Sequence, residues 1–320
     1  MKRALVAGAG GFIGHHLIGF LKEKGYWVRG VDIKEPEFER TAADEFLLLD
    51  LREFDSCAAS TAGIDEVYQL AADMGGIEFI TQNHADVARS NVLINAHMLE
   101  AAHLAGVARY FFSSSACIYP IHRQTSAVAA GLREEDAFPA DPEDGYGWEK
   151  LYTEKLCQYY REDKGLQTRV ARFHNVYGPL GTFRGGREKA PAAICRKVAV
   201  AQDGGEVEIW GDGSQTRSFM YVDDCVEGTF RLTQSNYHHP LNLGTEELIT
   251  LNDLVDLVAK IAGKRLGKRH NLGAPQGVRG RNSDNTRLTD VLRWEPRVSL
   301  EEGLRHSYDW VSNQLVGESV

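Results

Sequence analysis

The sequence predicts an α/β chain: a doubly wound parallel sheet with a smaller α/β domain attached. Three observations carry this. Short apolar runs rich in β-branched and aromatic residues alternate with longer amphipathic stretches. A glycine-rich turn joins the first run to the first helix, and the alternation fades beyond Arg172 into Gly- and Pro-rich loops.

Taken in order, strands are expected at 3–7, 27–31, 46–49, 66–70, 109–113 and 168–173. Between them, residues 12–24 repeat apolar side chains at helical spacing and stop at Gly25. The same pattern runs over 86–105 up to Gly106, and over 146–163 up to Gly165, glycine being the residue that most readily takes the left-handed cap. Loops follow at 177–181, 185–186 and 211–213. Helical spacing returns at 191–201, 223–233, 252–262 and 300–314, and the chain is expected to cross back to the sheet near 219–243. A nucleotide-binding domain is therefore expected over 1–174 plus about 219–244, and a substrate domain over about 175–218 plus 245–320.

The 320 residues suffice for one large core or two domains. With 36 Lys plus Arg against 45 Asp plus Glu, the net charge is 36 − 45 = −9, which disfavours nucleic acid and anionic membranes as general partners. No apolar run approaches the roughly 18 residues of a membrane helix, and the chain starts directly with a strand-like run, so no secretion signal is expected. The five cysteines are scattered and form no CxxC, which predicts neither a disulfide scaffold nor a metal site and fits a reduced cytoplasm.

Gly8-Ala9-Gly10-Gly11-Phe12-Ile13-Gly14 stands between the first strand and the first helix, where backbone amides can cradle a pyrophosphate. Its spacing is G-x-x-G-x-x-G. Asp32 ends the second strand, where a carboxylate accepts hydrogen bonds from ribose hydroxyls and repels a 2′-phosphate, so this Rossmann-type arrangement favours NAD over NADP. Asp50, after the third strand, is a candidate acceptor for the adenine amino group. Expected cofactor contacts are thus Gly8, Gly11, Phe12, Ile13, Gly14, Asp32, Asp50, Leu51 and Ala71, together with Tyr146 and Lys150.

Tyr146 and Lys150 lie four residues apart and share one helix face. A cation beside the phenol is expected to lower its pKa, so that the tyrosine can exchange a proton with a substrate hydroxyl. The serine run 113–115 precedes this pair, just after the fifth strand.

The glycine pattern, these serines and the Tyr146 and Lys150 pair resemble the extended short-chain dehydrogenase/reductase family. That resemblance implies bound NAD, a nucleotide-sugar substrate and a homodimer through a helical interface, for which the helices from Asp86 and Tyr146 are suited. Longer strings narrow it: Ala71-Ala72-Asp73-Met74-Gly75-Gly76, Ser114-Ser115-Ala116-Cys117-Ile118-Tyr119-Pro120, Gly185-Gly186-Arg187-Glu188-Lys189-Ala190-Pro191, Trp210-Gly211-Asp212-Gly213-Ser214-Gln215-Thr216-Arg217 and Gly277-Val278-Arg279-Gly280-Arg281-Asn282-Ser283 resemble the branch that epimerises a GDP-sugar at C3 and C5.

Such chemistry needs a transient ketone at C4, which acidifies both neighbouring C–H bonds, and an acid and a base on opposite ring faces. Tyr146, Lys150 and NAD would serve C4, with Ser115 on its oxygen. Cys117 is the candidate base and Lys189 the matching acid, roles the resemblance assigns to the same positions. Arginine forks suit a diphosphate, and Arg196, Lys197, Arg217, Arg279 and Arg281 all lie beyond residue 174. The resemblance selects Lys197, Gln215 and Arg281 from this region, adds Gly75, Asn175 and Glu188 as substrate contacts, and leaves Arg217 in the clamp. Lys264, Arg265, Lys268 and Arg269 read as solvated charges, His174 as structural, and the other four cysteines as core.

Three alternatives stay open at this point, one of them a UDP-sugar 4-epimerase or 4,6-dehydratase, which usually places threonine where Cys117 stands and needs no second acid-base pair. A relative that reduces a 4-keto-6-deoxy sugar with NADPH shares the Cys117 string, although its usual acid is a histidine. A non-catalytic NAD-binding regulator would keep the fold but has no need of Tyr146, Lys150, Cys117 and Lys189 together.

Overall fold

The computed structural model describes residues 1–128 and 130–317. Strands β1 (Arg3–Ala7), β2 (Trp27–Asp32), β3 (Glu45–Leu48), β4 (Glu66–Gln69), β5 (Arg109–Ser115) and β6 (Thr168–Phe173) are joined by helices α1 (Phe12–Glu23), α2 (Phe54–Thr61), α3 (Ile77–Gln82), α4 (His84–Leu104) and α5 (Gly145–Lys164). Beyond them come β7 (Val176–Tyr177), α6 (Ala190–Val200), β8 (Glu206–Trp210), β9 (Thr216–Arg217), β10 (Met220–Tyr221), α7 (Val222–Gln234), β11 (Leu241–Leu243), β12 (Ile249–Thr250), α8 (Leu251–Ala262), β13 (Gly267–Asn271), β14 (Gly280–Arg281), α9 (Thr286–Leu292) and α10 (Leu300–Gly317).

The main sheet is parallel throughout, in the order β11-β6-β5-β4-β1-β2-β3. The strand order reverses between β1 and β4, and the crevice at the carboxyl ends of those strands is where such folds bind ligands. Both faces are buried, so alternate residues of one strand serve two cores. Ala4 and Val6 pack with Leu17, Ile18 and Leu21 of α1, whereas Leu5 and Ala7 pack with Val67, Phe112 and Met98 of α4. The first core continues without a break into Ile194, Val198, Leu254 and Leu304. Three small sheets, β10 with β7, β12-β9-β14 and β13 with β8, form beyond the sixth strand.

The third strand starts one residue earlier than its apolar run, because Glu45 pairs with Arg29 and their side chains form an ion pair at 2.6 Å. Lys264 is no solvated cation. Its ammonium donates to the carbonyls of Val198, Ala199 and Ala201 at 2.8 to 2.9 Å and so caps the C-terminal end of α6. Lys268 and Arg269 do sit on the surface, paired with Asp256 and Glu208.

Candidate active site

The turn after β1 is shaped by what its glycines exclude. Gly8 has φ +85°, and a Cβ there would lie 2.8 Å from the Ala71 amide nitrogen. A Cβ on Gly14 would meet the Gly8 carbonyl oxygen at 2.1 Å, so α1 can start this close to β1 only without a side chain. Asp32 braces the loop from β2, its carboxylate accepting from the Gly10 amide at 2.9 Å and the Lys34 amide at 3.2 Å. Burial pushes the Asp32 carboxyl above its usual range. Asp50 is instead held in a fork by Arg52, at 2.6 to 3.0 Å, which keeps its carboxyl below the usual range. Leu51 is buried, and its carbonyl accepts from the Cys57 thiol.

Strand β5 delivers Ser113, Ser114 and Ser115 to the carboxyl edge of the sheet. The Ser115 hydroxyl caps the short turn Ala116–Ile118, accepting from the Cys117 amide at 3.1 Å, and it lies beside Tyr146, where it acts to lower the phenol pKa. Helix α5 is capped by Asp144, whose carboxylate accepts from the Gly147 amide at 2.8 Å. Its first turn lies against the Cys117 carbonyl. Lys150 is buried and donates to the Ser113 carbonyl at 3.0 Å, with its ammonium 5.4 Å from the Tyr146 ring centre.

The expected lowering of the Tyr146 pKa is not found. Burial, then the neighbouring Cys117 and Glu149, push the phenol well up, and burial likewise pulls Lys150 down. Desolvation outweighs the attraction of a cation whose charge is already shared with Glu149, 3.9 Å away. Glu149 was not marked by the sequence reading. Its carboxyl is pushed up to about 7 by burial, against the pull of Lys150 and of hydrogen bonds from Asn91 at 3.0 Å and Asn95 at 3.3 Å. A signal existed: the two asparagines lie one turn apart on α4, among apolar residues.

Cys117, Tyr146, Lys189, Arg217 and Arg281 converge although they lie on five separate segments. Arg281 donates to the Cys117 sulfur at 3.4 Å, and Cys117 faces Lys189, Arg217 and Tyr146 closely enough to influence each of them electrostatically. Lys189 is exposed, and partial desolvation, with Arg281 adding repulsion, outweighs Cys117 and sets its ammonium below the usual range. Burial and Arg281 bring Arg217 down to about 10. The segment before Lys189 is fastened to the loop after β4: Arg187 pairs with Asp73 at 3.3 Å and stacks over Phe79 at 3.8 Å, and the Glu188 carbonyl abuts Gly76. Gly75 packs against the Phe79 side chain.

Other expected contacts are engaged with neighbouring groups of the protein. Glu188 pairs with Arg196 at 3.3 Å, Lys197 donates to the Glu208 carbonyl at 2.9 Å, and Asn175 donates to the Ser218 carbonyl at 3.0 Å. Gln215 donates to the Trp210 carbonyl at 2.8 Å while its own side-chain oxygen, buried, has no partner among the described residues. Arg279 is bound to Asp212 at 2.9 and 3.0 Å, a surface fork that removes it from the clamp. His174 is wholly buried, bonded to Asn242 at 3.2 Å, and its pKa is pushed down to about 3 by that burial, so it stays neutral.

Residues 4–244 match the NAD dependent epimerase/dehydratase family. The chain belongs to that family. Within it, the chain is 47% identical to the GDP-mannose 3,5-epimerase of Arabidopsis thaliana, over 98% of this chain and 83% of that one. It is 29% identical to the GDP-L-fucose synthase of Escherichia coli, over 97% and 96%. Among solved structures it is similar to a UDP-glucose 4-epimerase with UDP-glucose from Thermotoga maritima, at 28% identity and a TM-score of 0.86, covering 98% and 100% of the two chains. A UDP-glucuronic acid 4-epimerase from Bacillus cereus, in complex with UDP-glucuronic acid and NAD, gives 27% and 0.81 over 98% and 100%.

As a member of the NAD dependent epimerase/dehydratase family the chain uses NAD, and its residues fit that cofactor. The side-chain-free cradle of Gly8 and Gly14 suits a pyrophosphate, Asp32 suits an unphosphorylated ribose, and Tyr146 with Lys150 stands across the switch point. Among the described residues no helix is long and apolar enough to cross a membrane.

Proposed function

We propose that the chain epimerises GDP-D-mannose at C3 and C5, giving GDP-L-galactose and GDP-L-gulose. The observation that carries this reading is the meeting of two proton-transfer pairs at one place, Tyr146 with Lys150 and Cys117 with Lys189. A simple dehydrogenase needs only the first pair. The 47% identity to a GDP-mannose 3,5-epimerase across nearly the whole chain supports the same substrate.

Bound NAD would supply reversible hydride chemistry at C4. Tyr146 accepts the C4 hydroxyl proton, Lys150 holds a positive charge behind it, and Ser115 donates to the C4 oxygen. The ketone acidifies the C5 and C3 hydrogens. Cys117 removes each as a thiolate, and Lys189, whose lowered pKa eases proton release, returns one to the opposite face. Arg217 and Arg281 balance the diphosphate, with Lys197, Gln215, Asn175, Glu188 and Gly75 completing the pocket. The division into a cofactor part, 1–174 with about 219–244, and a substrate part belongs to this proposal. So does a homodimer through α4 and α5, which expose Leu104, Trp148, Tyr152 and Tyr159, in a reduced cytoplasm.

Incubation with GDP-D-mannose in deuterated water, with no cofactor added, tests the reading: label is expected at C5 and C3. No label uptake refutes it, and NADPH consumption with a 4-keto-6-deoxy sugar would favour the fucose synthase type. Cys117→Ala and Lys189→Ala are expected to abolish exchange while NAD stays bound.

A further inference from the structure

Residue Gln124 ends the short turn Ile121–Gln124, a few residues after Cys117. It is 1% exposed, and its polar atoms are all engaged. Its amide group donates to the carbonyls of Tyr119 at 3.0 Å and Pro120 at 3.2 Å, and its backbone carbonyl accepts from the Arg279 amide at 2.9 Å. Its side-chain oxygen accepts from Nε of Arg281, the same arginine whose Nη1 donates to the Cys117 sulfur at 3.4 Å. The backbone of Arg281 is fixed independently, by pairing with Arg217 across β14 and β9.

We propose that Gln124 is a positioning residue that holds the Arg281 guanidinium against the Cys117 sulfur, so that a cation faces the base while it carries its negative charge. The identity of the residue matters to this. An amide gives Arg281 an acceptor without neutralising it, whereas a carboxylate of the same size would keep the hydrogen bond and cancel the charge. Arg281 is 8% exposed, so water screens it little. The inference rests on the reading of Cys117 as the base.

The test separates the two. Alkylation of the NAD-loaded enzyme by iodoacetamide, without sugar and at one fixed pH, reads the thiolate directly. Cys117 is the one cysteine of the five that is not buried, so mass spectrometry follows a single adduct. Gln124→Glu is expected to slow alkylation about tenfold, the loss of one charge-assisted bond. It should lower kcat for C5 deuterium exchange by a similar factor with KM within threefold, because Arg281 stays in place. Arg281→Met leaves the Gln124 bonds to Tyr119 and Pro120 intact and should slow alkylation as much; if Gln124→Glu does not fold, this variant decides. Alkylation within twofold of the unmodified protein in the folded variants overturns the proposal. Absence of exchange in the unmodified protein overturns the epimerase reading, and the alkylation rates still judge Gln124.

Discussion

Replacing Gly147 by alanine should uncouple stability from catalysis. A Cβ at this position would lie 2.4 Å from the Cys117 carbonyl oxygen and 2.8 Å from the Pro142 Cβ. Ordinary contact begins at 3.4 Å, so the first turn of α5 and the Cys117 turn must part by 3.4 − 2.4 = 1.0 Å. The carbonyl cannot swing aside like a side chain, because its turn is capped by Ser115. Overpacking of this kind costs about 1 to 3 kcal/mol. Alanine returns about 1 kcal/mol through its better helix propensity, so the net loss of stability should be about 0 to 2 kcal/mol. Catalysis has no such offset: the displacement separates Tyr146 and Lys150 from Cys117, and a misplacement of about 1 Å can cost ~100-fold in rate. The assay is C5 deuterium exchange alongside thermal unfolding and NAD content. Exchange within threefold of the unmodified protein, with NAD retained, would refute the geometry.

Glu149→Gln should change the pH dependence of stability. The folded carboxyl sits at about 7 against an ordinary 4.5, so deprotonation opposes folding, and stability that is full below 4.5 is lost as pH rises through 7, to about 3 kcal/mol at 1.36 kcal/mol per unit. The variant should therefore gain roughly 5 °C in Tm on the unmodified protein between pH 4.5 and 8, and parallel Tm curves would contradict this. Arg187→Ala removes a half-exposed ion pair and an aromatic contact, so Tm should hardly move. KM for GDP-D-mannose should nevertheless rise about fivefold with NAD binding unchanged, since the loop bearing Lys189 loses its fastening; an unchanged KM would show that the fastening is idle. Asp32→Ala should cost at least about tenfold in NAD affinity and narrow the preference over NADP, measured by equilibrium titration, because a charged hydrogen-bond acceptor is lost. An unaltered NAD to NADP ratio would remove Asp32 from cofactor selection.

The parts of the fold that were legible in the sequence are those where local signal and tertiary role agree. Strand β1 is buried on both faces and so carries a continuous apolar run from Ala4 to Ala7, and α5 ends at a glycine with φ +74°. Helix α2 escaped notice because Phe54–Thr61 is rich in small polar residues that favour no period. Strand β13 escaped for a different reason: Gly267–Asn271 is a charged, mostly exposed run whose extended form comes from pairing with β8, not from propensity. At the site, residue type and motif marked Cys117, Lys189 and Arg281, but not that Arg281 touches a sulfur 164 positions earlier. Gln124 carried no mark at all, since its role lies wholly in what it bonds.

Several cations outside the cluster of Lys189, Arg217 and Arg281 are accompanied by a carboxylate. Arg172 is buried with Glu154 in a fork at 2.8 and 3.0 Å, and its remaining donors reach the Tyr119 hydroxyl and the Glu134 carbonyl, so its charge is spent on holding β6 to α5. Arg279 has Asp212, Arg196 has Glu188 and Lys268 has Asp256. Among the described residues Lys189, Arg217 and Arg281 have no carboxylate within ion-pair distance, and Arg281 weighs on both of the others. Crowding three positive charges without compensation opposes folding, and a chain of net charge −9 has carboxylates to spare for them. Such a cluster suits an anionic ligand, and under the proposed function the diphosphate of the substrate is that ligand. The acidic balance of the whole surface and the positive pocket are therefore two separate features, the first bearing on what the protein repels and the second on what it binds.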